Sequence, residues 1–167
     1  MTPNEAESRR SLLAHTLNLL AVADGPEAAI GILARNARGI AGSEGITIVR
    51  MEGGMVHYIR ENAITPMWKG RSFVAKRCVT GIAILKGEIL QIPDIRADPR
   101  VPMDLYAALY VASLAVFPIG EVAAIGAYWG TTGPIDPLAV ELMTQLAKAA
   151  ERAFIAPPEM LVIAEVG

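Results

Sequence analysis

The chain has 167 residues, of which 53% are hydrophobic and 19% charged, and this composition excludes a disordered protein and provides for one packed core. A net charge of −2 and a pI near 5.7 exclude a general affinity for nucleic acid or for an anionic membrane surface. The one cysteine, Cys78, excludes an internal disulfide and a four-thiolate zinc site, and it fits a cytoplasmic location.

The first two predicted elements are helices. Residues 5–23 have the apolar spacing of an amphipathic helix, and polar residues interrupt this stretch too often for a signal peptide. A second helix follows over residues 24–41. Asp24 is predicted to be its N-cap, with Glu27 closing a capping box, and Gly42 is predicted to end it.

The middle of the chain alternates β-prone runs with irregular sequence. Residues 45–61 predict a hairpin around the pair Gly53-Gly54, which supplies the positive φ angles of a two-residue turn. Residues 62–77 show no periodicity, and we predict a loop there. A short helix over residues 80–86 then leads to a third strand in "EILQIP".

The motif "IPDIRADPRVP" and a predicted helical turn over residues 104–109 come next. Residues 105–130 are long enough to cross a bilayer and contain only one charge, Glu121. The sequence "FPIGEV" at the centre of this stretch instead favours two strands, 110–120 and 121–130, joined by a tight turn. Both strands are apolar on both faces, so we expect them to be covered on both sides and predict no membrane association.

A last helix is predicted to begin with Asp136 as N-cap and Pro137 in the first position. Pro157-Pro158 would end it, because proline cannot continue a helix unkinked. We therefore expect one domain over residues 1–156 and a C-terminal tail over residues 157–167.

The order of these elements predicts an α+β sandwich. Hairpin connections imply antiparallel strands, and helices gathered at both ends of the chain are expected to pack on one face of the sheet. Residues 62–109 are left to cover the other face as a lid. A sheet face that is covered by loops and short helices is a place where a ligand pocket forms.

The residues themselves resemble a GAF domain, and in particular the GAF modules of bacterial sensor histidine kinases. The resemblance spans about residues 12–154 and is most specific in "RCVTGIAILKGEILQIPDIRADPRVP", "YVASLAVFPIG" and "VAAIGAYWG". It implies a GAF/profilin-like fold with a central antiparallel sheet of five or six strands in the order 2-1-5-4-3. It also implies terminal helices on one face, which pair with a second copy, and a lid that encloses a ligand cavity.

Two charged residues of "IPDIRADPRVP" are candidate ligand contacts. Asp94 either faces a ligand at the mouth of the pocket or fixes a turn by accepting backbone N–H bonds. Asp98 is predicted to cap a helical turn that begins at Pro99. Arg100 either holds an anionic ligand or pairs with one of these two carboxylates.

Five further residues are candidate contacts in the lid and pocket. Tyrosine offers an apolar ring with a polar tip that can orient a ligand, and the resemblance places the lid helix and the strand after it where family ligands rest. Aromatic residues of the preceding loop are expected to line the cavity or to seal the lid. The five residues are Trp68, Phe73, Tyr106, Tyr110 and Ser113.

Cys78 is a candidate chromophore anchor, redox sensor or packed apolar residue. Bilin-carrying GAF domains attach the pigment through a cysteine in the lid helix, and "MDLYAALYVAS" has none, which excludes attachment there. GAF-fold reductases of free methionine sulfoxide use more than one cysteine to close their cycle. His15 or His57 could serve as a haem ligand, but neither has a motif around it, so we predict no cofactor and no metal site.

The leading hypothesis is a cytoplasmic sensory or regulatory module without catalytic activity, since no catalytic motif is visible. It would bind a small molecule or a partner through the lid and form a homodimer through its terminal helices. Its output would lie in a missing part of the protein or in a separate signalling protein. The alternatives are a GAF-fold redox enzyme or haem sensor that uses Cys78 or a histidine, and a purely structural dimerisation domain.

Overall fold

Three layers of secondary structure make up residues 1–155, the part of the chain that the computed structural model describes. The central layer is an antiparallel sheet of six strands: β1 (Gly45–Glu52), β2 (Met55–Ala63), β3 (Ser72–Val74), β4 (Leu90–Ile92), β5 (Ser113–Ile119) and β6 (Ala123–Trp129). The helices are α1 (Pro3–Ala21), α2 (Pro26–Ala41), α3 (Val79–Lys86), α4 (Met103–Tyr106) and α5 (Pro137–Phe154), with short 3-10 turns at Ala75–Arg77 and Ile95–Ala97.

The strands follow the order β3-β2-β1-β6-β5-β4. This confirms the α+β class. It also confirms the implied order 2-1-5-4-3, if the short strand β3 is left out and β4, β5 and β6 are counted as the third, fourth and fifth strands. Strand β3 is an additional strand at one edge. The predicted hairpin turn is also present. Gly53 and Gly54 have φ angles of 59° and 78°, the left-handed values that a two-residue turn between twisted strands requires.

The prediction of a loop over residues 62–77 is wrong in part. Strand β2 continues to Ala63, and β3 and a 3-10 turn follow within this segment. The end of β2 lacks an alternating apolar pattern because Asn62 donates its side-chain amide to the carbonyl of Ala34 in α2, at 2.9 Å. Strand β3 has only three residues, too few for a periodicity to be visible.

The predicted N-cap of the second helix is also wrong. The helix begins at Pro26, and its N-cap is Gly25, which has a φ of 99° and no side-chain cap. A capping box from Asp24 to Glu27 would require Gly25 to be helical. The residue before a proline is disfavoured in the helical region, so the cap moves to the glycine.

The sheet separates two apolar cores. On one face, Ile46, Ile48 and Phe117 are fully buried beneath α2 and α5, while α1 packs on those two helices and not on the sheet. On the other face, Val49 and Leu114 are fully buried beneath the segment between β2 and β5, which we call the lid. The lid contains α3 and α4, as the order of elements predicts.

Arg9 connects the three long helices. Its guanidinium donates to the carbonyls of Ile40 and Ala41 at the end of α2, at 2.9 and 2.8 Å, and to the carboxylate of Asp136 at 2.9 Å. Asp136 is the N-cap of α5, as predicted, because it also accepts the N–H of Leu138. One side chain therefore satisfies the free carbonyls of α2 and holds α1 against the start of α5.

We expect the substitution Arg9→Met to lower the free energy of unfolding by about 2–3 kcal/mol, because it leaves two helix-end carbonyls and a carboxylate without their charged partner. The matched control is Arg10→Met on the same helix, which removes only an exposed ion pair with Glu141 and should leave stability nearly unchanged. Urea unfolding followed by circular dichroism measures both. Equal losses in the two variants would contradict the role given to Arg9.

Among residues 1–155, none of the helices combines the length and the apolar character needed to cross a membrane. Helix α5 ends at Phe154. The predicted stop at Pro157-Pro158 lies outside the described residues.

Candidate functional site

Aromatic rings fill the space between the lid and the sheet. Trp68 lies at the centre, with its ring centroid 4.8 Å from that of Tyr106 and 5.5 Å from those of Tyr58 and Tyr128, all in edge-to-face contact. Phe73 packs on Tyr58 in the same way, at 5.5 Å. This aromatic cluster unites three predicted site residues, Trp68, Phe73 and Tyr106. The lid interior is therefore closed by the chain's own side chains.

Two pairs of hydroxyl groups lie within the aromatic cluster. The hydroxyl of Tyr128 lies 2.9 Å from that of Thr47, and the hydroxyl of Tyr58 lies 3.0 Å from that of Thr80. Burial raises the pKa of both tyrosines above its ordinary value, so both stay protonated. Each hydroxyl thus has a partner, as a buried polar group requires.

Tyr128 owes its position to Gly126, two residues earlier on the same face of β6. A Cβ atom at Gly126 would lie 2.3 Å from the Tyr128 hydroxyl and 2.7 Å from that of Thr47. The glycine therefore gives the phenol ring room to lie back along its own strand. A glycine two positions before a tyrosine in an otherwise apolar strand is a sequence signal for this arrangement, and Tyr128 is not among the predicted site residues.

Trp68 is held in the cluster by a carboxylate. Glu61, at the end of β2, accepts the backbone N–H groups of Met67, Trp68 and Lys69 at 2.8–2.9 Å. The indole N–H of Trp68 donates to the carbonyl of Leu105 in α4, at 3.3 Å. Three bonds to one charged group fix the loop that carries the tryptophan, so Glu61 is a positioning residue that the sequence did not reveal.

Cys78 lies at the edge of the aromatic cluster and is 3% exposed. Its sulfur contacts the hydroxyl of Thr80 at 3.5 Å and the carbonyl of Ala75 at 3.8 Å. Burial raises the pKa of the thiol, which keeps it in the protonated and unreactive form. Of the roles weighed for this residue, its surroundings match that of a packed side chain.

We expect Cys78 in the folded protein to react with a disulfide reagent at least about 100-fold more slowly than an exposed thiol, because the lid must open first. The matched control is Thr131→Cys in a Cys78→Ser background, since Thr131 is exposed. Stopped-flow absorbance with Ellman's reagent at mildly alkaline pH measures both rates. Similar rates would contradict the closed lid.

The two acidic residues of "IPDIRADPRVP" have the turn roles that the sequence allowed. Asp94 caps the turn Ile95–Ala97 and accepts the N–H of Arg96, at 3.0 Å. Asp98 holds Arg100 through two side-chain bonds, of 3.0 and 2.7 Å, and these bonds lower the pKa of Asp98. Arg100 is thus paired with Asp98, one of the two partners we considered.

The turn predicted after Asp98 forms, and the Asp98 carboxylate accepts the N–H of Arg100 at 2.9 Å, but the turn is a single one and not the start of a helix. Asp98 has an extended backbone, and its carbonyl accepts the N–H of Val101 at 3.2 Å, which closes a four-residue turn with Pro99 in second position. Pro102 prevents a helix from continuing out of this turn. Helix α4 starts one residue later, at Met103.

A cleft of about 350 Å³ opens where the lid leaves the sheet. We call it the hinge cleft. It includes two predicted site residues, Asp94 and Tyr110, and its lining consists of Asp94, Ile95, Arg96, Leu109, Tyr110, Val111, Ala112, Gly130 and Thr132. Its volume is within the range of small-molecule sites.

A buried carboxylate, that of Glu44, lies near Gly130 and Tyr110 of the cleft wall but does not itself line the cleft. A Cβ atom at Gly130 would lie 3.8 Å from Glu44 Oε1 and 3.8 Å from the Tyr110 ring, so these groups adjoin. Glu44 Oε2 is buried and has no hydrogen-bond partner among residues 1–155. Burial, followed by repulsion from Glu44, raises the pKa of Tyr110 to about 12. Tyr110 is therefore neutral, and its hydroxyl lies beside Gly45 and donates to the sulfur of Met67 at 3.7 Å, so the hydroxyl is engaged outside the lining of the cleft.

Ser113 does not join the other candidate residues. It begins β5 with its side chain on the face of the helices, and its hydroxyl donates to the carbonyl of Thr131 at 2.7 Å. The predicted residues are thus divided among the closed aromatic cluster, the hinge cleft, the Asp98–Arg100 pair and this strand start. The predicted strand begins at residue 110, three residues before Ser113, and its apolar residues on both faces give no sign of the face that Ser113 occupies.

Two larger depressions lie on the side of the helices. One, of about 840 Å³, is lined by the paired Arg9 and Asp136 near the start of α1. The other, of about 650 Å³, lies beside Arg35, Arg60 and Glu61. Arg9, Asp136 and Glu61 are already engaged with protein groups, and neither depression contains a residue predicted to bind a ligand. Within residues 1–155 no three His, Cys, Asp or Glu residues are grouped to hold a metal ion.

No protein-family model and no curated protein sequence matches the chain. Solved structures do match its fold. The free methionine-R-sulfoxide reductase of Neisseria meningitidis, solved with its substrate, superposes with a TM-score of 0.74 at 17% identity, over 92% of each chain. The GAF domain of an Acinetobacter phosphoenolpyruvate-protein phosphotransferase superposes with a TM-score of 0.74 at 8% identity, over 95% of this chain and 98% of that one.

The chain has the GAF fold. A third match widens the range of roles carried by this fold. The chromophore-binding domain of a bacteriophytochrome from R. palustris has a TM-score of 0.70 and 14% identity, and the alignment covers 96% of this chain and 64% of that one. A reductase, a domain of a phosphotransferase and a chromophore-binding domain thus share this architecture. At such low identity the GAF fold is common to all, and activity has to be argued from the site.

Proposed function

We propose that this chain is a non-catalytic regulatory module of GAF fold that takes up a small molecule in the hinge cleft. The observation that carries the proposal is the composition of the cleft wall. Asp94–Arg96 follow β4 within the lid, residues 109–112 form the end of the lid, and Gly130 and Thr132 belong to the segment after β6. A ligand in contact with all three segments would favour one arrangement of them over another.

The cleft is linked to the last helix by a short series of contacts. The N–H of Gly133 donates to the carbonyl of Pro93 at 2.9 Å, which ties the hinge to the segment before α5. Three residues later, Asp136 caps α5 and binds Arg9 of α1. A ligand that moves Thr132 would therefore act on the N-terminus of α5 and on the contact between the two terminal helices.

Pairing with a second copy through α1 and α5 belongs to the same proposal. The outward residues of α5 are polar and exposed, among them Glu141, Gln145 and Lys148, so such an interface would be polar. A dimer in which α1 and α5 can pair in two arrangements could transfer a signal to a separate output protein. The sequence resemblance suggests a histidine kinase as that protein. Sedimentation velocity over a range of concentrations tests the dimer.

A thermal-shift screen with a panel of cellular metabolites tests ligand uptake. A ligand at 100 times its dissociation constant adds about 2.7 kcal/mol of stability, which raises the melting temperature of a domain of this size by about 5–10 °C. We expect at least one compound to do so. If none does, the purely structural dimerisation domain is the better account, and the filled aromatic cluster is the observation that favours it.

A reductase is the alternative that the Neisseria structure suggests, and the enclosure of Cys78 opposes it. We expect no turnover of free methionine sulfoxide with dithiothreitol as reductant. The control is Cys78→Ser, which should give the same background rate. Turnover by the native chain that is lost in Cys78→Ser would establish an enzyme and overturn the proposal.

A further inference from the structure

Positive charge is concentrated in one stretch of this chain. Residues 50–86 contain seven Lys and Arg against two Asp and Glu, a net charge of +5 within a chain of net charge −2. Six of the seven cations are exposed, and none takes part in a salt bridge found among residues 1–155. The six are Arg60, Lys69, Arg71, Lys76, Arg77 and Lys86.

Four of these cations lie along an edge of the sheet. The segment "KGRSFVAKR", residues 69–77, contains β3, which is the outermost strand next to β2. Lys69 and Arg71 precede β3, and Lys76 and Arg77 follow it. One of the two Asp and Glu residues of this region, Glu61, is bound to three backbone N–H groups and forms no salt bridge with these cations among residues 1–155. We call this segment the basic edge.

The backbone of the basic edge is open on its outer side. The N–H of Tyr58 donates to the carbonyl of Arg71, and the N–H of Ala75 donates to the carbonyl of Gly54, so residues 71, 73 and 75 direct their main-chain groups toward β2. Main-chain groups alternate in direction along a strand. The main-chain groups of Ser72 and the N–H of Val74 therefore point away from the sheet, while the carbonyl of Val74 accepts the first bond of the 3-10 turn at Ala75–Arg77. The Val74 side chain is 39% exposed.

We propose that the basic edge binds an acidic, extended segment of a partner protein, which adds to the sheet as a strand next to β3. The outward N–H and C=O groups of Ser72 and the outward N–H of Val74 match the main chain of such a strand, and the four flanking cations match its acidic side chains. This inference concerns a surface remote in sequence from the hinge cleft and does not depend on a ligand there.

The charges also select among possible occupants. A second copy that paired through the same edge would place four cations against four cations, which opposes edge-to-edge association. A nucleic acid could pair its phosphates with the cations, but the outward carbonyl of Ser72 would then face phosphate oxygens without a donor. An acidic polypeptide satisfies both the charges and the backbone groups.

Fluorescence anisotropy with a short, labelled peptide that alternates Glu and Val tests the proposal on the full chain. We expect saturable binding that weakens as salt rises, and no binding of a matched peptide that alternates Lys and Val. The double variant Arg71→Glu, Lys76→Glu should weaken binding at least tenfold. The control, Arg35→Glu with Lys148→Glu, reverses two exposed charges on the helices and should bind as the native chain does.

Val74→Pro separates strand addition from simple charge attraction. Val74 has a φ of −63°, which proline adopts without strain, and its N–H points outward, so the fold should be kept while one donor to the added strand is lost. We expect binding to weaken at least tenfold with an unchanged melting temperature. The proposal would be overturned if the peptide of Glu and Val showed no binding at concentrations up to about 1 mM. It would also be overturned if the native chain and all charge variants bound this peptide equally well. The third contrary result is that oligothymidylate binds as tightly as the peptide and that Val74→Pro does not weaken its binding.

Discussion

Replacing Gly81 by Ala should lower the free energy of unfolding by about 3 kcal/mol, the largest effect we expect from adding a single methyl group. Gly81 lies in α3, where its backbone touches the 3-10 turn that precedes the helix. A Cβ atom there would lie 2.1 Å from the carbonyl oxygen of Ala75 and 2.5 Å from its Cα. Both are backbone atoms, so the two segments of the lid must separate to admit the methyl group.

The matched control is Gly31→Ala in the interior of α2. A Cβ atom at Gly31 meets only the end of the Arg35 side chain, at 3.6 Å, which is an ordinary contact. In an unobstructed helix the exchange of Gly for Ala is stabilising, by about 0.5–1 kcal/mol. The two variants should therefore change stability in opposite directions in urea unfolding. The same sign in both would contradict the close contact between α3 and the turn at Ala75–Arg77.

Trp68→Ala should cost about 3–5 kcal/mol of stability, because it empties the centre of the aromatic cluster. The cavity left behind would be lined by Tyr58, Tyr106 and Tyr128, which contact the indole in the native chain. Indole added to the variant should restore part of the lost stability, while the native chain should not respond, because its site is filled.

The control for Trp68→Ala is Lys69→Ala. Lys69 belongs to the same loop but its side chain is exposed, so stability should change by less than about 0.5 kcal/mol. If indole stabilised the native chain as strongly as it stabilises Trp68→Ala, the lid interior of the native chain would already contain open space. We would then propose the centre of the lid, and not the hinge cleft, as the ligand site.

Features that depend on neighbouring residues in the chain were predictable. The turn at Gly53-Gly54, the N-cap Asp136 and the ends of α2 and α3 at Gly42 and Gly87 all follow from local backbone preferences, and both end glycines adopt left-handed φ angles of 64° and 65°. The strand order could not be predicted from local preferences alone. Its prediction rested on the hairpins together with the GAF resemblance.

Features that depend on tertiary contacts were not predictable. Trp68 could line a cavity or fill it, and the outcome depends on its contacts with Tyr58 and Tyr128. These two tyrosines lie on different strands of the sheet, and Tyr128 is 60 positions away from Trp68 in sequence. The role of Glu61 depends on a loop that has no sequence pattern. The hinge cleft combines Asp94 with Thr132, a pairing that only the fold creates.

Thr132 provides the most direct test that the hinge cleft is the ligand site. Thr132 lines the cleft and is exposed, so Thr132→Trp should fill the cleft without disturbing the core, while Thr131→Trp places the same exposed ring outside it. The measurement is the melting temperature of the native chain and of both variants with a compound that stabilises the native chain. The account predicts stabilisation of the native chain and of Thr131→Trp but not of Thr132→Trp, and an equal rise in all three would contradict it.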